Sequence, residues 1–193
     1  AAFAPPQVTE EGIDWGEGVR PATRDYTPLY DVERHELAYD FFIHDGGIAS
    51  RWALEAKVGD KLVIGGPRGS LVVPEDYAWQ LYVCDESGMP ALRRRLLGLR
   101  QLAVTPQVTA IVTIADASYK DYLADLDGFN IEWVVGHNPA FVAERLAQEK
   151  VPAEDYFIWL TGEGAVVKSL LARFEDESID QQLVRSQAYW HSK

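Results

Sequence analysis

Four continuous apolar runs, Gln80–Cys84, Val108–Ile114, Ile131–Val135 and Tyr156–Leu160, constrain the second half of this chain more than anything else in it. Each has the length of a strand and is apolar throughout instead of alternating, which is the pattern of strands covered on both faces. Stretches of helical character separate them: Pro90 to about Leu102, a short one around Tyr119–Leu126, and one from Asn138-Pro139 to about Lys150. Another opens at Thr161-Gly162-Glu163-Gly164 and runs through Arg173. Pro90 suits a first helical position, where its missing N–H would have been unpaired anyway, and Asn138 is a good helix cap. Strand and helix alternating at this spacing predict a doubly wound parallel sheet, with Ala188-Tyr189-Trp190 as an edge strand.

The first part of the chain follows a different pattern. Residues 1–20 are rich in Pro, Gly and acid and are expected to form a loop. Tyr26–Val32 is a strand candidate, and Leu37, Tyr39, Phe41 and Ile43 give the clearest two-residue periodicity of the chain. Ser50–Lys57 fits one amphipathic helix, with Ser50 or a neighbour near its start. Lys61–Ile64 and Leu71–Val73 add short strands stopped by Gly65-Gly66 and Pro74. Short strands with a single helix in this order predict a small antiparallel barrel. The expectation is therefore a β barrel plus an α/β domain, divided as residues 1–76 and 77–193.

Composition narrows the function. Hydrophobic residues make up 47% of the chain and charged residues 25%, the balance of a globular protein with a proper core. The net charge of −12, acidic in both halves, argues against nucleic acid or an anionic membrane surface as a partner. No apolar run reaches the roughly 20 residues needed for membrane insertion as a helix. One cysteine, Cys84, rules out an internal disulfide, and the four histidines show no metal-binding spacing. A cytoplasmic monomer is expected.

Three polar clusters punctuate the barrel segment. Arg24-Asp25-Tyr26-Thr27 places a guanidinium and a phenol ring on one strand face, suited to a pyrophosphate and a planar heterocycle. His44-Asp45-Gly46-Gly47-Ile48-Ala49-Ser50-Arg51-Trp52 puts glycines before a helix start, where free N–H groups and the helix dipole attract anions. Gly65-Gly66-Pro67-Arg68-Gly69-Ser70 lacks the phosphate-loop lysine and precedes a strand. Taken singly, the three fit an edge strand, an ordinary helix cap and a tight turn equally well. In the second half, Asp85-Glu86-Ser87-Gly88-Met89-Pro90 fills the first strand-to-helix loop, where open α/β sheets bind ligands, without a G-x-G-x-x-G cradle. Arg93-Arg94-Arg95 is most simply the solvated face of a helix.

Together and in order, these clusters resemble the siderophore-interacting protein family, within the ferredoxin-reductase superfamily. The residues that carry the likeness are Arg24-Asp25-Tyr26-Thr27, Asp40–His44, Gly46–Trp52, Gly66–Ser70, Asp85–Ala91, Gly162-Glu163 and Tyr189-Trp190. The resemblance implies an FAD-binding barrel followed by a domain for NADPH or NADH. By analogy, FAD is held by Arg24, Tyr26, Thr27, His44, Gly47, Ile48, Ala49, Ser50 and Trp52, with Tyr189 and Trp190 close to the flavin. The nicotinamide nucleotide falls to Asp85, Glu86, Ser87, Pro90, Gly162 and Glu163. Ser118 and Lys120 are candidates for a 2′-phosphate, and Lys168 and Arg173 for an anionic ferric siderophore. Hydride would pass to the flavin and single electrons to Fe(III), whose reduction weakens the chelate, so no catalytic acid, base or nucleophile from the protein is required. Family members carry a further stretch of barrel strand ahead of the position of Ala1, which makes the expected barrel incomplete at its N-terminal side. A general flavin or ferric-chelate reductase and a non-catalytic flavin- or siderophore-binding protein are the competing expectations.

Overall fold

The computed structural model describes residues 7–10, 12–14, 22–66, 72–176 and 178–192. The chain divides into two compact units, one of Ala1–Tyr26 with Tyr39–Val72 and the other of Thr27–Ala38 with Val73–Lys193. The cluster Gly66–Ser70, apart from Gly66 itself, lies outside the described residues, as do most of residues 1–20.

In the first unit, β1 (Gln7–Thr9) pairs antiparallel with β2 (Gly12–Asp14). Here α1 (Ile48–Glu55) starts two residues earlier than the position of Ser50 suggests, because Gly47 takes the extended cap conformation and Ser50 falls in the first turn. Lys61–Ile64, expected as a strand, forms no ladder among the described residues, and Leu62, Val63 and Ile64 are exposed. An apolar run makes a strand only when a neighbouring edge accepts its N–H and C=O groups. The described antiparallel ladders are thus shorter than the period-two pattern implies.

The second unit begins with a hairpin, β3 (Pro28–Asp31) and β4 (Glu36–Tyr39), whose last residue belongs to the first unit. Asp31 Oδ1 shapes the turn by accepting the N–H groups of Glu33 and Arg34, both at 3.0 Å. Then follows the sheet: β5 (Trp79–Cys84), β6 (Gln107–Ile114), β7 (Asn130–Val135), β8 (Tyr156–Glu163) and β9 (Val184–Trp190). All neighbours are parallel, in the order β7-β6-β5-β8-β9. The chain winds outward from β5 to β7, then returns through α3 (Pro139–Leu146) to place β8 against the free side of β5.

Strand pleating divides the apolar runs between two cores. Leu81, Val83, Ile111, Ile158 and Leu160 face α3 and α4 (Gly164–Leu171), packing with Val142, Leu146, Val167 and Leu170. Tyr82, Cys84, Ala110, Val112 and Phe157 face the other way, onto Leu92, Leu96 and Leu99 of α2 (Met89–Leu99). Continuous rather than alternating hydrophobicity is the consequence of burying both faces.

The arginine run on α2 departs from the solvated face expected of it. Arg93 forks onto Asp125 at 2.6 and 2.7 Å and lies over the Tyr122 ring. Arg95 donates to Tyr82 Oη at 2.9 Å, Gln80 Oε1 at 3.0 Å and the carbonyls of Val73 and Pro74. Only Arg94 is exposed.

Candidate functional site

Each unit carries a distinct cluster of candidate residues. In the first, Phe41 packs against Tyr26 (ring centroids 4.6 Å apart) and Trp52 (5.8 Å), joining two aromatic positions assigned to FAD through a third that was given no binding role. Tyr26 keeps 37% of its surface exposed. Burial pushes its phenol pKa up, and the charge of Arg24 pulls it part of the way back. Arg24 is exposed, with one guanidinium N–H on the Thr23 carbonyl at 2.7 Å. Residues 22–27 form no strand, so Arg24 and Tyr26 stand on irregular backbone rather than a shared strand face.

The Gly47–Ser50 segment is built around close approach. Ser50, buried at the start of α1, accepts the His44 N–H at 3.2 Å through its hydroxyl, which ties the segment ahead of the helix to its first turn. A Cβ added at Gly47 would lie 2.7 Å from Ser50 Oγ and 2.8 Å from the His44 ring. No side chain caps α1 and no acidic residue stands in its first turn. Among the described residues the N–H groups of Ile48 and Ala49 therefore meet no capping carboxylate, as phosphate binding requires. A cradle closed to any Cβ, an uncapped helix start and exposed aromatic surface fit a dinucleotide with a planar ring system.

In the second unit the chain reverses its winding between β5 and β8, and the loops after these strands leave in opposite directions. Ligands of open α/β sheets bind at this reversal, beyond the carboxyl ends. A cavity of about 300 Å³ lies there, bordered by Cys84, Asp85, Thr113, His137, Thr161–Glu163 and Trp190, with Val142, Val166 and Leu170 beneath. Thr113 Oγ1 is buried without a hydrogen-bond partner among the described residues, an unusual cost that a polar ligand in the cavity would relieve.

The Asp85–Pro90 loop is fixed mainly by bonds to residues at the ends of the neighbouring strands. Asp85 accepts from Ser87, Glu163 and Trp190, while Glu86, also buried, accepts the Ala115 N–H at 2.5 Å and lies 2.7 Å from His137 Nε2. Pro90 sits in the first turn of α2. Gly88 allows the loop to touch β8, since a Cβ there would lie 2.5 Å from Thr161 Cγ2. Glu163 caps α4, accepting the Ala165 and Val166 N–H groups at 2.7 and 3.0 Å. Burial, with Asp85 and Glu86 adding to it, pushes the Cys84 thiol well up, so it stays protonated and inert.

The remaining candidates scatter. Ser118 and Lys120 are exposed on the turn after β6, and Ser118 N–H is taken by Asp116. Lys168 is exposed on α4. Arg173 is engaged with the carbonyls of Leu146, Ala147 and Glu149 at the end of α3. Tyr189 lies edge-on to Trp159, its hydroxyl bonded to Thr27 and Thr161, and burial raises its pKa. Among the polar cavity residues, Thr113, His137 and Ser192 were not singled out from the sequence. Their signal is topological, since they stand at or just past the carboxyl ends of β6, β7 and β9. Among the described residues no three His, Cys, Asp or Glu side chains gather to hold a metal ion, and no helix is long and apolar enough to cross a membrane.

Comparison with known proteins assigns both parts of the chain. Residues 77–193 match the family model described as siderophore-interacting protein, and residues 1–71 match that of the siderophore-interacting FAD-binding domain. The chain belongs to the siderophore-interacting protein family. It is 68% identical over all 193 residues to an NADPH-dependent ferric-chelate reductase of Escherichia coli, spanning 76% of that protein. A siderophore utilization protein from T. fusca superposes with a TM-score of 0.82 at 27% identity, over 96% of this chain and 72% of that one. A ferredoxin-NADP+ reductase from Plasmodium falciparum shares the fold at TM-score 0.66 and 15% identity, over 85% of this chain and 76% of its own. The expected architecture of an N-terminal FAD-binding part and a parallel-sheet part therefore holds for this siderophore-interacting protein.

Proposed function

We propose that this protein is an NADPH-dependent flavoprotein that reduces iron(III) held by a siderophore and so releases iron(II). The observation that carries this is the 68% identity, across the entire chain, with the Escherichia coli NADPH-dependent ferric-chelate reductase. The cavity at the carboxyl ends of β5 and β8, with its orphaned Thr113 hydroxyl, supports a nicotinamide nucleotide as reductant. The Gly47 cradle and the uncapped start of α1 support FAD.

The division of labour runs along residues 1–76 for FAD and 77–193 for NADPH. Arg24 offers a fork to the diphosphate, and Tyr26 with Trp52 offers aromatic surface to the ring system. Thr27 supplies a hydroxyl, and His44 with the Gly47–Ser50 backbone holds phosphate and ribose. Asp85, Glu86, Ser87 and Pro90 shape the nicotinamide loop, Gly162 and Glu163 its opposite wall. Ser118 and Lys120 stand where a 2′-phosphate can be met by a hydroxyl and a cation. Tyr189 and Trp190 contribute flat surface at the end of β9. When bound, FAD converts a two-electron hydride donor into a source of single electrons for iron, the chemistry the side chains lack. Lys168 and Arg173, both exposed, are the two cations offered to an anionic chelate, Arg173 with its guanidinium engaged by the carbonyls of Leu146, Ala147 and Glu149. Ferric chelates other than siderophores form the broader substrate class, as the relative's name suggests. A cytoplasmic monomer is in keeping with a lone, buried cysteine.

Visible absorbance and iron release test this together. Protein incubated with FAD and desalted is expected to keep a flavin band, which NADPH bleaches without oxygen, and then to release Fe(II) from a ferric siderophore to a colorimetric chelator. Arg24→Ala is expected to weaken FAD binding roughly tenfold or more, the loss of a charge-assisted bond. Absence of a flavin band, or Fe(II) release that does not depend on NADPH, would overturn the proposal.

A further inference from the structure

Asp85 is 7% exposed, and among the described residues it has no Lys, Arg or His partner. An unpaired buried carboxylate is costly unless hydrogen bonds replace its hydration. Four donors do so here. Oδ1 accepts the Ser87 N–H at 2.9 Å and the Ser87 hydroxyl. Oδ2 accepts the Trp190 indole N–H at 2.7 Å and the Glu163 N–H at 3.1 Å. These last two donors lie 105 and 78 residues away along the chain, so one carboxylate ties the end of β5 to the ends of β9 and β8.

The surrounding backbone is shaped for this contact. Gly162 has φ +138°, and a Cβ there would stand 2.6 Å from Asp85 Oδ2. The pairing of β8 with β9 breaks at the same place: Gly162 faces Ala188, but Glu163 faces Trp190, leaving Tyr189 as an extra residue. A bulge of this kind re-aims the side chains beside it. Tyr189 turns onto Trp159, while Trp190, 46% exposed, borders the cavity with its indole N–H on Asp85.

We propose that Asp85 is a positioning residue for nicotinamide binding: its carboxylate fixes the Trp190 indole at the cavity rim, so that NADPH meets a preset aromatic wall. This rests on the function proposed above. Both carboxylate oxygens are already occupied, so Asp85 acts through Trp190 rather than on the nucleotide itself. A half-exposed indole without this bond would sample several rotamers, and ordering it would be charged against NADPH affinity. The expected signature is therefore a change in KM with little change in kcat.

The full chain, labelled with 5-fluorotryptophan and loaded with FAD, provides the test. The Trp190 fluorine resonance is assigned by its loss in Trp190→Phe. It is expected to shift and broaden in Asp85→Ala. Trp190→Phe keeps an aromatic ring but removes the pyrrole half of the indole with its N–H, and is expected to raise KM for NADPH about three- to tenfold with kcat within about twofold. The double variant is expected to be no worse in KM than Asp85→Ala alone. An unmoved Trp190 resonance in Asp85→Ala, or an unchanged KM in Trp190→Phe, would overturn the proposal. Should Asp85→Ala not fold, the kinetics of Trp190→Phe decide alone. Failure of the wild-type protein to oxidise NADPH would instead overturn the functional proposal and this role with it, an outcome distinct from a KM that differs between variants.

Discussion

Glu163 closes the switch between β8 and α4 with both oxygens. Oε2 caps the helix through Ala165 and Val166, and Oε1 accepts the N–H and hydroxyl of Ser192, both at 3.1 Å. These bonds, that of Ser192 N–H foremost, hold its pKa below the usual carboxylate value. A carboxyl whose folded pKa is depressed stabilises fully above its unfolded value and loses that contribution as pH falls through the folded one. Glu163→Gln is therefore expected to melt a few degrees below wild type at pH 7, with the gap narrowing once the pH drops below about 4.3, the unperturbed glutamate value. Thermal melts at a series of pH values check this, and a gap of constant size would contradict it. The sequence marked Glu163 for the nucleotide site. Its bonds to Ser192 depend on where the chain end is folded back, which local pattern does not report.

At the scale of the element, α2 shows how packing sorts three identical residues. Arg95 supports a buried polar network: its Nε–H meets Tyr82 Oη, which in turn donates to Gln80 Oε1 at 2.5 Å, and Gln80 donates to the carbonyls of Glu75 and Tyr77. Burial pushes the Tyr82 phenol up to about 12, so it serves as a neutral hydrogen-bonding group throughout the physiological range. Arg95→Met is expected to cost about 2 kcal/mol, since carbonyls and a phenol lose charged donors. Arg94→Met, with its exposed side chain, is expected to stay within about 0.5 kcal/mol of wild type. Urea unfolding of the two variants checks the contrast, and equal losses would show the run to be the solvated face that the sequence suggests. Nothing local separates Arg93, Arg94 and Arg95, because the partners of the first and third come from elsewhere in the chain. The helix itself was legible from Pro90 and its apolar spacing. The same distinction applies to Lys61–Ile64, whose composition favours a strand but which finds no ladder among the described residues.

Across the whole molecule, stability is expected to concentrate in the second unit's sheet. β5, β6 and β8 are hydrogen-bonded on both edges and buried on both faces. Lys61–Gly66 in the first unit forms no ladder among the described residues and exposes its apolar side chains. Native-state hydrogen exchange should therefore leave amides of Leu81–Val83, Ala110–Val112 and Ile158–Leu160 protected longest, and exchange those of Leu62–Ile64 early. Comparable protection in the two segments would show that the second stretch is held by partners the ladder pattern does not reveal.

Sequence by itself determined the parallel sheet, the strand order's repeating βα units and the family, because hydrophobic period, cap residues and motif order are properties of neighbouring residues. The tertiary structure decided which polar side chains work together. Asp85 finds Trp190 and Glu163 only after β8 has returned to the free side of β5, Glu86 finds His137 through the winding from β5 to β7, and Arg95 finds Tyr82 by the packing of α2 on β5. Such pairs are fixed by sheet topology and by a single bulge at Glu163, and a carboxylate's choice between a ligand and an indole depends on that geometry.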